Sequence, residues 1–140
     1  MKVVIDTNIL VAAISSKSKY HWIIRYLKEG KFSISISNDI ISEYEEILNL
    51  KYGEQLSNAF LELLFNLKNV QFQEIYYNWN LINDDESDNK FVDCFISSAS
   101  DYLVTEDRHF SKLKNNKFPL INVIGIFEFQ EILESQLNKS

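Results

Sequence analysis

Apolar positions along this chain follow two rhythms. Short runs at Val3–Ile5, Phe32–Ile36, Tyr102–Val104 and Asn122–Ile124, with Val70–Gln73 as a weaker fifth, have the length and apolar content of β-strands. Between them, residues 8–14, 20–29, 39–51, 54–68, 88–100 and 127–137 carry apolar side chains at helical spacing. Strands alternating with helices predict an α/β fold: one domain over 1–140, with a central, mainly parallel twisted sheet of four to five strands and helices on both faces. The stretch from Phe32 to Ser37 alternates with period two, which predicts a less buried face and a place near the sheet edge. Leu56, Ala59, Phe60, Leu63, Leu64 and Leu67 share a helical stripe. Core packing is its simplest explanation and a dimer seam the alternative. Residues 74–90 are polar, acidic and rich in Asn, as expected of a loop leading into the next helix.

Composition narrows the class. A length of 140 residues, 46% hydrophobic and 14% aromatic, provides one core and excludes wholesale disorder. Cys94 is the single cysteine and His21 and His109 are the only histidines, so neither an internal disulfide nor a structural zinc cluster is expected, and a reducing cytoplasm fits. Asp6 interrupts the first apolar run before it could form a signal-peptide core or a membrane span, so no membrane association is expected. Twenty acidic against 14 basic side chains give a net charge of −6, which argues against a broad basic face for nucleic acid. It leaves room for an enzyme whose carboxylates carry divalent cations.

The acids are placed unevenly. Asp6 and Asp107 lie at or just past the ends of predicted buried strands, the edge where parallel sheets bind ligands, although each could also cap the element that follows. On the third predicted helix, Glu43 falls inside the apolar arc of Ile40, Ile41, Tyr44, Ile47, Leu48 and Leu50, whereas Glu45 and Glu46 fall outside it. A core-facing carboxylate requires a positive partner: a Lys or Arg, or a bound cation. Few basic residues lie on predicted inward faces, which favours the cation. Asp88 begins the row that buries Phe91, Val92 and Phe95, as either an N-cap or a metal ligand. Asp93, five residues on, is rotated by about 140° and shifted by about 7.5 Å, so it is the second choice. Four converging carboxylates repel one another unless a cation joins them, and their hard oxygens suit Mg²⁺ or Mn²⁺ and phosphoryl hydrolysis.

The segments VVIDTNIL, SNDIISEYEEIL, DNKFVDCFISSASDYLVTEDRHF and FPLINVIGIFEFQEIL, in that order, resemble the PIN domain family, in its branch of toxin–antitoxin (VapC-like) toxins. The resemblance spans nearly the whole chain. It implies a Mg²⁺- or Mn²⁺-dependent endoribonuclease that leaves a 5′-phosphate and a 3′-hydroxyl, with RNA as substrate, a small antitoxin as partner and a homodimer as a common state. It matches Asp6, Glu43, Asp88 and Asp107 to the family's acids, and Asn8 and Thr105 to the polar positions that orient them. Asp93 matches an acid found in this branch but not in all relatives, which leaves its role open. Phe95 replaces a usual alanine, and the gap from Asp88 to Asp107 is one residue longer than in many relatives.

Other readings remain open at this level. The same domain serves in RNA processing outside toxin systems. A catalytically silent acidic binding module would need the acids only as caps. An aspartyl phosphatase would need an acid two residues after Asp6, where Asn8 stands. Lys17, Lys19, Lys90, Arg108 and Lys112 are read as solvated surface, His109 as a turn or packing residue, and Trp22 and Trp79 as core.

Overall fold

A computed structural model describes residues 1–82 and 85–139. All five predicted strands form: β1 (Lys2–Ile5), β2 (Ser33–Ile36), β3 (Val70–Phe72), β4 (Tyr102–Val104) and β5 (Val123–Ile124). They make one parallel sheet in the order β3-β2-β1-β4-β5. Val3 lies opposite Ile34 on one side and Tyr102 on the other, and Ile5 lies opposite Val104. Val3, Val4 and Ile5 are completely buried, as a central strand covered on both faces requires.

The helices are α1 (Thr7–Ala13), α2 (Trp22–Lys28), α3 (Asn38–Tyr52), α4 (Glu54–Asn66), α5 (Asn89–Ser97) and α6 (Ile126–Leu137), with 3₁₀ turns at Glu86–Asp88 and Arg108–Asn115. α5 packs across β1, β2 and β4, while α3 joins α1 to α4. Ser37 starts α3 by accepting a hydrogen bond from the Ile40 amide at 3.3 Å. Gly53, at φ +92°, supplies the left-handed backbone that ends α3 and turns directly into α4. Among the described residues, no helix is long and apolar enough to cross a membrane.

Two expectations need correction. β2 stands near the edge as expected, second to the edge strand β3, but its serine face is not open to solvent. Ser35 is completely buried because α5 ends over it: the Ser100 hydroxyl donates to Ser35 at 3.3 Å and pairs with Ser98 at 2.6 Å. Small hydroxyls satisfy one another where larger polar groups could not fit. The α4 stripe is core as expected, but its buried residues are Ser57, Phe60, Leu61 and Leu64, with Leu56 and Ala59 turned outward. Trp22 is core, packed on Tyr26 and Phe129. Trp79 is half-buried against Tyr77 and Phe118.

Candidate metal centre

The strand order reverses between β1 and β4, and this is the point at which parallel sheets open a crevice beyond their carboxyl ends. Asp6 leaves β1 there. Its amide still pairs with the Val104 carbonyl at 3.0 Å, and its own carbonyl accepts from Ile9 and Leu10 to begin α1. The Asp6 carboxylate, 6% exposed, does not cap that helix. It accepts the Thr105 hydroxyl at 2.7 Å instead. The same Thr105 oxygen accepts the Asp107 amide at 3.0 Å, so one hydroxyl ties the ends of β1 and β4 together. Asp107 caps the following 3₁₀ turn through the His109 amide at 2.9 Å. Asn8 is exposed; its backbone amide, near Asp6, favours the ionised acid.

Glu43 is held by its neighbour. Tyr44, fully buried on α3, donates its hydroxyl to the Ile5 carbonyl at 2.5 Å and so fixes α3 beside the end of β1. Burial pushes the Tyr44 phenol well above its ordinary value, so it stays a donor. Thr7, the first residue of α1, donates its hydroxyl to Glu43 Oε2, and Lys90 donates to Glu43 Oε1 at 2.9 Å. This ion pair overturns the expectation that Lys90 is solvated surface: the first turn of α5 runs beside α3, and the Lys90 side chain is only 17% exposed.

Asp88 occupies the position before α5 but makes no capping hydrogen bond. It is 9% exposed and meets His109 Nδ1 at 3.4 Å; His109 also lies 3.4 Å from Asp107. Ligating atoms of Asp85, Asp88 and His109 lie within 4.8 Å of one another. His109, expected to be a turn or packing residue, therefore bridges two acids, and Asp85 joins the group although sequence reasoning passed over it inside the acidic 74–90 run.

The electrostatics show which acids share a neighbourhood. Burial raises the Asp6 carboxyl above its ordinary 3.8, and the charges of Asp107 and Glu43 add to this, against the Thr105 hydroxyl and the Asn8 amide. Burial pushes Asp88 up to about 6, and Asp85, Asp107 and Asp6 reinforce it against the His109 hydrogen bond. Asp6 thus feels the charges of Asp107 and Glu43, and Asp88 those of Asp85, Asp107 and Asp6. Asp93 stands apart: burial raises it too, but its carboxylate accepts the Trp79 amide at 3.0 Å, and no other acid of the group acts on it.

A cleft of about 340 Å³ beyond the strand ends is lined by Asp6, Asn8, Ile9, Ala12, Tyr20, Glu106, Asp107 and Ile126, so of the four predicted ligands Asp6 and Asp107 line it. The donor set is carboxylate oxygen with one imidazole. Cys94 is buried, with its thiol pushed up to about 12, and offers no soft ligand. Such a set fits a hard divalent cation.

Known proteins agree with this architecture. The family model described as "PIN domain" matches residues 2–109. No curated protein matches the chain in sequence. Among solved structures, VapC20 of Mycobacterium tuberculosis, a toxin that cleaves the sarcin–ricin loop, is similar at TM-score 0.58 with 13% identity, over 79% of this chain and 93% of that one. VapBC2 of Rickettsia felis, bound to a DNA fragment from its promoter, is similar at TM-score 0.61 with 17% identity, over 89% of this chain and 98% of that one. The PIN domain of human SMG5 follows at TM-score 0.54 with 13% identity, over 94% and 97%. At these identities the structural likeness speaks for the fold. With the family model covering most of the sequence, the chain belongs to the PIN domain family.

Proposed function

We propose that this chain is a divalent-cation-dependent endoribonuclease in which Asp6, Glu43, Asp88 and Asp107 hold Mg²⁺ or Mn²⁺. The observation that carries this reading is the gathering of buried acids from separate segments at the carboxyl end of the sheet: Asp6 and Asp88 are 6% and 9% exposed, burial raises both, and the charges of neighbouring acids add to it. Like charges held close oppose ionisation, and a bound cation would offset that cost. The cation would supply Lewis acidity and charge neutralisation for phosphodiester hydrolysis, and would bridge an acidic pocket to an anionic substrate.

The chain's own residues would prepare that chemistry. Thr105 keeps the Asp6 carboxylate aimed into the crevice, and Tyr44 and Thr7 hold Glu43 beside it. The hydrogen bond from the His109 amide fixes Asp107. RNA as the substrate class, and a toxin role with a small antitoxin as partner, rest on the family and on the likeness to VapC20.

One observation favours a second reading. Lys90 already neutralises Glu43, as a catalytically silent acidic module would arrange. Cleavage decides between the two. Purified protein incubated with labelled RNA and Mn²⁺ or Mg²⁺ is expected to cut it, with Asp6→Asn at least about 100-fold slower, since even residues that only support metal ligands contribute 10–100-fold. Equal cleavage by both proteins, or none by either, overturns the nuclease reading.

A further inference from the structure

The Lys90–Glu43 pair is the feature that the proposed chemistry does not use. The two residues are 47 positions apart, on α5 and α3, and their side chains are 17% and 26% exposed. Each Glu43 oxygen has its own partner: the Thr7 hydroxyl on Oε2 and the Lys90 ammonium on Oε1 at 2.9 Å. The ammonium also lies 5.5 Å from the centre of the Phe91 ring, which steadies it at that spot. The Asp85 carboxyl is lowered first by its hydrogen bonds from Ser87 and more weakly by the charges of His109 and Lys90. Among the described residues, Glu43 is the one member of the proposed ligand set that meets a lysine or arginine within ion-pair distance.

An ammonium and a divalent cation repel each other when both lie against one carboxylate, and the repulsion is strong in a partly desolvated pocket. We propose that Lys90 is the resident counter-ion of this centre: it neutralises Glu43 while the site is metal-free and must release Oε1 when a divalent cation binds, so that Lys90 sets the affinity for the cation. This rests on the metal-centre reading given above. Two consequences follow from one contact. The metal-free protein keeps its acids together at a tolerable electrostatic cost, and the cation binds more weakly than the acids alone would allow. Lys90 acts through Glu43 and is a positioning residue in this scheme.

Mn²⁺ affinity measured by calorimetry separates this role from a merely structural one, because the two move it in opposite directions. Lys90→Gln is expected to bind Mn²⁺ roughly fivefold more tightly than the natural protein, the worth of one partly exposed ion pair. It should also melt earlier in chelator. Lys90→Arg, which keeps the charge, should restore affinity and melting to near the natural values. If Lys90 only braces Glu43, Lys90→Gln binds Mn²⁺ more weakly or equally, and the proposal fails. Asp6→Asn tells the two readings apart: if Mn²⁺ binds Asp6→Asn as well as the natural protein, the metal centre itself is wrong, whereas loss of binding there with no gain in Lys90→Gln removes only the role of Lys90. Should Lys90→Gln not fold, lysine-ammonium NMR of the natural protein gives the answer. Saturating Mg²⁺ should shift the Lys90 signal and speed its exchange with water; an unmoved signal overturns the displacement.

Discussion

Asp6 and Asp93 are both buried aspartates, 6% and 4% exposed, and burial raises both, yet they solve the problem differently. Asp93 faces the loop that precedes α5 and accepts the Trp79 amide, so its charge is spent in holding a segment with no regular structure of its own. Asp6 has a side-chain hydroxyl as its hydrogen-bond partner and is surrounded by other acids. Burial by itself therefore does not mark a site. What separates them is the company each carboxylate keeps: a backbone donor in one case, like charges in the other.

The comparison breaks first on activity. Asp6→Asn should lower RNA cleavage by more than about 100-fold, while Asp93→Asn, which keeps an acceptor for Trp79, should stay within about threefold. Equal losses in steady-state rates would erase the distinction. Stability should reverse the order. Asp93→Ala leaves the Trp79 amide without its partner and should cost about 1–3 kcal/mol in urea unfolding. Asp88→Ala, which removes a repelled carboxylate that caps nothing, should not lower the melting temperature in chelator and should shrink the stabilisation by Mn²⁺. An early melt of Asp88→Ala in chelator would make Asp88 a structural acid like Asp93. A smaller effect is expected from Thr105→Val, which removes the hydroxyl that ties Asp6 to the Asp107 amide while keeping the shape of the side chain. Cleavage should fall about tenfold with little change in RNA affinity, the pattern of a lost orienting contact.

How far these features could be read in the sequence follows from the range of the interactions. The buried run Val3–Ile5 and the acids at the ends of β1 and β4 are set by local period and stand where the pattern puts them. The arc of α3 holds for Ile40, Tyr44 and Leu48, with Glu43 half-buried beside them, but not for Leu50, which is exposed. The edge of the sheet is only faintly marked, because β3 is three residues long with only Val70 buried, a weak signal beside the clear alternation of β2. Lys90 meeting Glu43 and His109 meeting Asp88 depend on how α3, α5 and the turn after β4 pack together, which no local period encodes. The partner of Asp93 is a backbone amide, and every residue except proline has one, so nothing in the composition points to Trp79.

The finest test of the comparison is pH, and its direction is fixed by the shifts. Asp88, at about 6 in the folded chain against 3.8 ordinarily, keeps its proton in the folded state over a range where the unfolded chain has lost it. The folded state therefore binds more protons between those values, and the metal-free protein loses stability as pH rises through that range. Asp6 and Asp93 are shifted the same way, while Asp85, lowered by its hydrogen bonds from Ser87, works against them from the surface. In chelator, the melting temperature at about pH 5 should exceed that at about pH 7.5 by roughly 2 °C, a small gain because it comes mainly from one carboxyl and Asp85 opposes it. Asp88→Asn should remove much of that gain. With Mn²⁺ present the slope should reverse, since the cation needs ionised ligands and loses them as pH falls through about 6. A melting temperature that rises with pH in chelator would mean that these carboxylates are stabilised as charges by the fold itself, and Asp6 would then differ from Asp93 only in its address.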